Sequence, residues 1–331
     1  MSFKYHRRAF GQSVWTRQDI DAAQASHTGA PRQRRGNRAL GPALATALVA
    51  GLASPAFAHA ILAQAAPAAA PPAASSSPAI GAAQPQPASP ESKTDYTPQS
   101  GQSGKDVVWV PTPQALVDMM LDMAKATPQD YLIDLGSGDG RTVITAAKRG
   151  LKAHGIEYNP DMVELSRRRA AAEGVSERAT FERADIFSSD FSKAQIITLF
   201  LLPTLNERLR PQLLDLPPGT RVVSNSFDMG EWKADQTSKV ADCNSWCTAF
   251  LWIVPAKVDG SWRLGEQRLQ LKQRFQEVSG TLGDTPITGG KLSGDTLTFK
   301  AGGTMYVGKV NGSTITGESG GRTPNWTASR S

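Results

Sequence analysis

The stretch "YLIDLGSGDGRTV", Tyr131 to Val143, runs apolar into an acid and then sets glycines at Gly136, Gly138 and Gly140. A short apolar run closed by glycines and followed by helix-forming residues reads as strand, loop and helix. Glycines in such a loop let backbone approach a ligand closely and leave amide hydrogens exposed at the helix start. The chain around the stretch repeats the alternation. Strands are expected at Tyr131–Leu135, Ala153–Glu157, Thr180–Arg183, Ile196–Leu201 and Arg221–Ser224. Helices are expected between them at Arg141–Arg149, Asp161–Glu173 and Thr204–Leu214, with Gly150 and Gly174 as C-caps. Strands alternating with helices predict a parallel sheet covered on both faces. Ahead of it, Thr112 reads as an N-cap and Pro113 as the first residue of a helix whose apolar face is Val117, Met120, Leu121 and Ala124.

Sheets of this kind bind ligands at the carboxyl ends of their strands. A dinucleotide-binding loop would read G-x-G-x-x-G. Here the spacing is D-x-G-x-G-x-G, and Arg141 stands where the last glycine would be. Asp134 would repel a pyrophosphate and attract an ammonium group. The expected ligand therefore carries positive charge near the loop, as S-adenosylmethionine does on its ammonium and sulfonium. Two further acids close the next strands. Glu157 in "AHGIEYNP" is placed to accept from both ribose hydroxyls. Asp185 in "FERADIF" is placed to accept from the adenine amino group, with the Ile186 backbone beside it. The bland alternative for both is helix capping.

Residues 107–255 resemble the class I S-adenosylmethionine-dependent methyltransferases. Within that class they resemble the lysine methyltransferases that include the mitochondrial enzyme acting on the ATP-synthase c subunit. The resemblance is carried by "VWVPTP", "DLGSGDGRTVI", "GIEYNP", "FLLPTLNERLRPQL" and "GTRVVSNSF". It implies that Val110, Pro111 and Thr112 line the methionine end of the cofactor. It implies that Asp134, Gly136, Ser137, Gly138, Gly140, Glu157, Tyr158, Asp185 and Ile186 make the remaining cofactor contacts. The fourth strand departs from relatives that methylate adenine or glutamine amides. They carry Asn/Asp-Pro-Pro-Tyr where this chain has Phe200-Leu201-Leu202-Pro203. An apolar wall suits a desolvated amine rather than a planar amide. Leu202, Pro203, Asn206 and Asn225 are the candidate substrate contacts, with capping and turn chemistry as the alternative for the two asparagines. No catalytic base is expected, because methyl transfer from a sulfonium chiefly needs near-attack geometry and exclusion of water. His154 is expected to be structural.

The chain has 331 residues and a net charge of +6. Residues 1–40 hold eight basic residues against two acids, which accounts for the whole excess. The neutral remainder argues against phosphate-driven binding of nucleic acid. "ALGPALATALVAGLASPAFAHA" follows that basic stretch and reads as a secretory signal with cleavage after Ala58. An uncleaved membrane anchor is the alternative. Residues 1–58 are thus expected to be a basic segment and signal, and the rest is expected outside the cytoplasm, periplasmic or membrane-tethered. A cytoplasmic enzyme with a misread N-terminus is the remaining option. Residues 59–104, rich in Ala, Pro and Ser, read as a disordered linker.

The methyltransferase domain is expected over 105–257 and to end in an antiparallel hairpin turning tightly at Asn244-Ser245. Cys243 and Cys247, the only cysteines, are spaced for a disulfide in an exported protein, and no metal site is expected. Over 258–331, "GKLSGDTLTF" and "GKVNGSTITG" repeat one pattern 18 residues apart. This predicts a small antiparallel sheet or partial barrel with Trp262 and Trp326 in its core, and one helix at Glu266–Glu277. The expected fold class is α/β, a Rossmann-like class I methyltransferase sheet with a terminal antiparallel hairpin, followed by a small all-β module. Two functions are carried forward. One is S-adenosylmethionine-dependent methyl transfer to a protein or small-molecule acceptor, with a protein lysine as the first choice. The other is a non-catalytic exported binding protein that keeps the nucleoside pocket.

Overall fold

Alternate residues of the apolar stretch at Tyr131 face opposite sides of one sheet, and both sides are buried. Leu132 packs into one core with Val143, Ala147 and Val163, while Ile133 and Leu135 pack into another with Leu209 and Leu213. That double burial is what a near-continuous apolar strand requires. The computed structural model describes residues 96–241, 243–319 and 323–331. The expected signal over 1–58 and residues 59–95 of the expected linker lie outside the described residues.

The helices are α1 (Gln114–Met123), α2 (Arg141–Lys148), α3 (Pro160–Ala172) and α4 (Pro203–Leu214). The strands of the first domain are β1 (Tyr131–Leu135), β2 (Lys152–Glu157), β3 (Ala179–Arg183), β4 (Ile196–Leu199), β5 (Arg221–Asn225), β6 (Gln236–Lys239) and β7 (Thr248–Ile253). They form a seven-stranded sheet in the order β3-β2-β1-β4-β5-β7-β6. The first five strands of that order run parallel, and β7 and β6 are antiparallel additions. The chain reverses its direction of travel across the sheet between β1 and β4, and a ligand crevice opens at such a point. Every expected strand and helix of this domain forms, with ends shifted by no more than two residues.

Two local expectations fail. Thr112 does not cap α1; Pro113 holds the cap position without a side-chain bond. The Thr112 hydroxyl instead accepts from Asn225 Nδ2 at 3.2 Å. The terminal hairpin is not tight: β6 ends at Lys239 and β7 starts at Thr248, so the Cys243–Cys247 pair closes a loop rather than clamping two strands. The disulfide itself is present, with Cα atoms 5.8 Å apart.

After β7 the chain builds a closed barrel of eight strands: β8 (Gly260–Leu264), β9 (Gln267–Arg274), β10 (Glu277–Leu282), β11 (Thr285–Ser293), β12 (Thr296–Ala301), β13 (Thr304–Asn311), β14 (Thr314–Ser319) and β15 (Thr323–Arg330). Each strand pairs with its neighbour in sequence, and β15 pairs back onto β8. The two repeated segments are consecutive hairpins, β11–β12 and β13–β14. The helix expected over Glu266–Glu277 is replaced by β9 and a turn. Leu269 and Leu271, two apart, are both fully buried, so period two prevails over the helix-forming composition. Trp262 fills the interior with Leu297 and Phe299. Trp326 packs edge-on to Phe299 and Tyr306. The barrel is filled, as small barrels are. It is joined to the sheet domain by Phe275, stacked on Trp232 at 6.2 Å, and by Gln276 Nε2 donating to the Lys233 carbonyl at 2.7 Å.

Gly308 in β13 is glycine because Trp326 occupies the space above it; an added Cβ would lie 2.6 Å from the indole. Gly308→Ala is expected to destabilise the protein by about 1–3 kcal/mol through overpacking. The midpoint of urea denaturation measures this, and an unchanged midpoint would contradict the packing described.

Candidate functional site

The glycine loop forms the junction between β1 and α2. Gly136, Gly138 and Gly140 all take left-handed backbone conformations, with φ of 80°, 53° and 79°. A side chain at Gly138 would meet Trp109 Nε1 at 2.5 Å, and one at Gly140 would meet Ser166 Oγ at 2.7 Å. The loop is pinned to β2, whose Ile156 carbonyl accepts from Gly136 N at 2.9 Å and Ser137 N at 3.0 Å.

Three carboxylates stand at the ends of β1, β2 and β3. Asp134 is buried and accepts from Thr198 Oγ1 at 2.7 Å. Among the described residues no cation forms a salt bridge with it. Burial pushes its carboxyl up to about 7; the Thr198 bond opposes this, and the negative charges of Glu157 and Asp139 add to it. Glu157 accepts from Gly138 N at 2.9 Å and Asn159 N at 2.8 Å, which fixes its carboxylate beside the loop. Asp185 accepts from Phe187 N at 3.0 Å and pairs with Lys105 Nζ at 2.6 Å. The Lys105 bond holds the Asp185 carboxyl below its ordinary value. Lys105 Nζ also lies 4.8 Å from the centroid of the Tyr158 ring.

One cavity is bordered by all three acids. Val110, Pro111, Thr112, Gly136, Ser137, Gly138, Tyr158, Ile186 and Leu202 also line it. Gly140 is set behind the loop as the N-cap of α2. Pro203, Asn206 and Asn225 do not border the cavity. Asn206 and Asn225 are fully buried. Asn206 Nδ2 donates to the Asp228 carbonyl at 3.0 Å. Asn225 donates to Thr112 and accepts from Ser226 Oγ at 2.7 Å. Asn206 Nδ2 and both ends of the Asn225 amide are thus engaged inside the fold, away from the cavity lining, mainly by partners distant in the chain rather than by a turn or a helix cap. His154 is likewise engaged within the sheet, its Nδ1 2.8 Å from Thr180 Oγ1.

Several residues at the site escape sequence reading. Tyr96–Gly104, assigned above to the linker, fold back on the segment ahead of α1: Gly101 N donates to the Trp109 carbonyl and Trp109 N to the Gln102 carbonyl, both at 2.8 Å. This turn carries Lys105 to Asp185 and Trp109 to Gly138. Asp139 is buried between Arg141 and Arg169, at 2.7 and 2.5 Å. Burial alone would raise its carboxyl, but the two guanidinium groups outweigh that and hold it below its ordinary value. Arg141 Nη1 also donates to the Thr112 carbonyl at 2.9 Å. Finally, Phe200, Phe227 and Trp246 border the same cavity as a cluster of rings. Trp246 sits between the cysteines, and its only sequence signal was that position.

Comparison with known proteins agrees with this geometry. Residues 134–236 match the model of the ANTKMT methyltransferase domain. A protein-lysine N-methyltransferase of Saccharolobus islandicus is 40% identical over 151 residues, 45% of this chain and 94% of that protein. The Rattus norvegicus lysine N-methyltransferase named for the c subunit of ATP synthase is 40% identical over 108 residues, 32% of this chain and 50% of that protein. The chain thus spans nearly all of the Saccharolobus relative and about half the length of the rat one. A crystal structure described as an RNA methyltransferase from Salinibacter ruber with S-adenosyl-L-homocysteine is 44% identical, covers 45% of this chain and 96% of that one, and superposes with a TM-score of 0.43.

Asp134 makes a pH-dependent contribution to the stability of the ligand-free protein. Its folded carboxyl titrates at about 7 against an ordinary 3.8. Between those values folding takes up a proton, so stability from this group falls as pH rises and levels off above pH 7. Asp134→Asn removes that slope. Its stability relative to wild type is expected to improve between pH 4 and pH 8 by on the order of 1–4 kcal/mol. Thermal denaturation at both pH values reads this difference.

Proposed function

The chain belongs to the class I S-adenosylmethionine-dependent methyltransferase family that includes the protein-lysine N-methyltransferases, and from that premise we propose that it methylates the side-chain amine of a lysine in a protein. S-adenosylmethionine is the cofactor. When bound, it would supply an electrophilic methyl group on a sulfonium: an amine lone pair would form the new N–C bond as the S–C bond breaks, with S-adenosylhomocysteine as the leaving group and the amine proton passing to water.

The observation that carries the reading is the buried Asp134 carboxylate, facing the cavity without a cationic partner among the described residues. A charge in that position is costly unless a cation meets it, and the ammonium of the cofactor meets that need. The rest of the site fits the same group. The left-handed glycines bring backbone to the cavity with no side chain in the way. Glu157 offers a carboxylate already oriented by two amides, free to accept from ribose hydroxyls through its remaining lone pairs. Asp185 and Ile186 border the same cavity, which supports their reading as the adenine contacts.

The acceptor reading is supported by the wall that follows β4. Phe200, Leu201, Leu202 and Leu205 give that side of the cavity an apolar lining. An apolar wall lowers the proton affinity of a lysine amine that is desolvated against it and favours its reactive neutral form. The relatives named for lysine methylation point the same way. The zero net charge of residues 41–331 favours a protein over a nucleic acid as partner. The compartment belongs to the same proposal. The N-terminal signal would carry the enzyme out of the cytoplasm, and the Cys243–Cys247 disulfide suits an oxidising compartment.

Calorimetric titration with S-adenosylmethionine is expected to show one site, and Glu157→Ala to weaken it by about 1–3 kcal/mol. Unchanged affinity would remove Glu157 from the cofactor site. With tritiated cofactor and a membrane and envelope extract, the label is expected on lysine after hydrolysis and mass spectrometry. Label found only on another residue type, or only in nucleic acid, would sink the lysine assignment.

A further inference from the structure

The carboxyl-end rim of the sheet is divided in two. Reading across it in the order β3-β2-β1-β4-β5-β7, the first three strands end in the acids Asp185, Glu157 and Asp134. The next three present aromatic rings: Phe200 after β4, Phe227 after β5 and Trp246 just before β7. All six residues border one cavity. The acids account for the cofactor. The rings have no part in that account.

The three rings are mutually close. Phe200 and Phe227 lie 6.1 Å apart and nearly parallel, and Trp246 lies 5.4 Å from the first and 5.6 Å from the second. Trp246 is held there by an unusual backbone. Its φ is +60°, in the left-handed region that a bulky residue seldom adopts. The loop closed by Cys243 and Cys247, four positions apart, contains it. Such a conformation persists only where its surroundings fix it, and it collects at functional sites.

We propose that Phe200, Phe227 and Trp246 form the seat for the methyl-acceptor amine, with Trp246 as its specificity-determining residue. The proposal rests on the lysine reading and deepens it. Ring faces within about 6 Å attract an ammonium group, and indole does so best. Rings also differ from a carboxylate in what they do to the proton. A salt bridge would raise the pKa of the amine and keep it unreactive, whereas rings in a dry site hold the ammonium and still allow the proton to leave. The same seat accepts mono-, di- and trimethylated ammonium, because methylation removes hydrogen-bond donors that the rings do not use.

Calorimetry in saturating S-adenosylhomocysteine tests this with two probes: Nα-acetyl-Nε-trimethyl-lysine amide, and its uncharged isostere with a tert-butyl group in place of the trimethylammonium. The charged probe is expected to bind wild type at least tenfold more tightly. Trp246→Leu should lose at least tenfold for the charged probe and Trp246→Phe less than threefold. Affinity for S-adenosylhomocysteine should stay within twofold in both, which reports a folded cofactor site. Equal affinity for the two probes, absence of binding by the charged one, or wild-type affinity in Trp246→Leu overturns the seat. The two proposals are scored apart. Lysine labelling without charge preference removes the seat and leaves the lysine reading, whereas charge preference without lysine labelling supports the seat and removes that reading.

Discussion

A single buried carboxylate, Asp139, holds the front of the site together. It lies inside the glycine loop with 2% of its surface exposed and receives guanidinium groups from two directions, Arg141 and Arg169. Arg169 comes from α3, so the loop is tied to the helix behind it. Arg141 reaches on to the Thr112 carbonyl, so the segment entering α1 is tied to the loop in front. Asn225 at the end of β5 then takes the Thr112 hydroxyl. Four pieces of chain, far apart in sequence, thus meet through one acid. Loss of one partner from a buried, paired charge leaves the others uncompensated, which is why such clusters are rigid once made.

Asp134 shows the opposite economy. It sits five residues earlier, is also buried, and has a hydroxyl rather than a cation beside it. The fold therefore carries an acid whose charge is disfavoured until a cationic ligand arrives. Two acids five residues apart, one at the strand end and satisfied by no cation, the other in the loop and paired within the protein, divide binding from structure by their surroundings alone. Glu157 is intermediate: its orientation is fixed by two backbone amides, while its remaining acceptor capacity is open to the cavity.

The sheet and its acids were legible because they depend on local pattern. Apolar runs of four to six residues, glycines after them and an acid at each strand end are all contiguous signals, and the cofactor site is built from strand ends. What was not legible depends on partners distant in sequence. "GQSGKD" has the composition of a linker, yet its backbone bonds to Trp109 and its lysine finds Asp185, 80 residues on. Asn206 looked available for a substrate because its polar side chain stands in a loop-and-helix start; only the fold shows that the Asp228 carbonyl takes it. The β9 segment reads as helical from its glutamines, arginines and leucines. It becomes a strand because Trp262 of β8 lies opposite Leu269. The repeated hairpins announced an antiparallel module, but closure of β15 onto β8 is a pairing between opposite ends of the module, and no short motif encodes that.

The unpaired margins of the sheet carry one last implication. At one margin β3 turns Thr180, Glu182 and Arg183 to solvent; at the other, β6 is a four-residue strand of Gln, Thr, Ser and Lys. The barrel, being closed, has no margin at all. Open strand borders recruit neighbouring chains by backbone pairing, and charge, brevity or closure blocks that recruitment. The fifteen strands of the described residues thus give stray copies of the chain little to zip onto, an asset for any β-rich protein that must finish folding in a crowded medium.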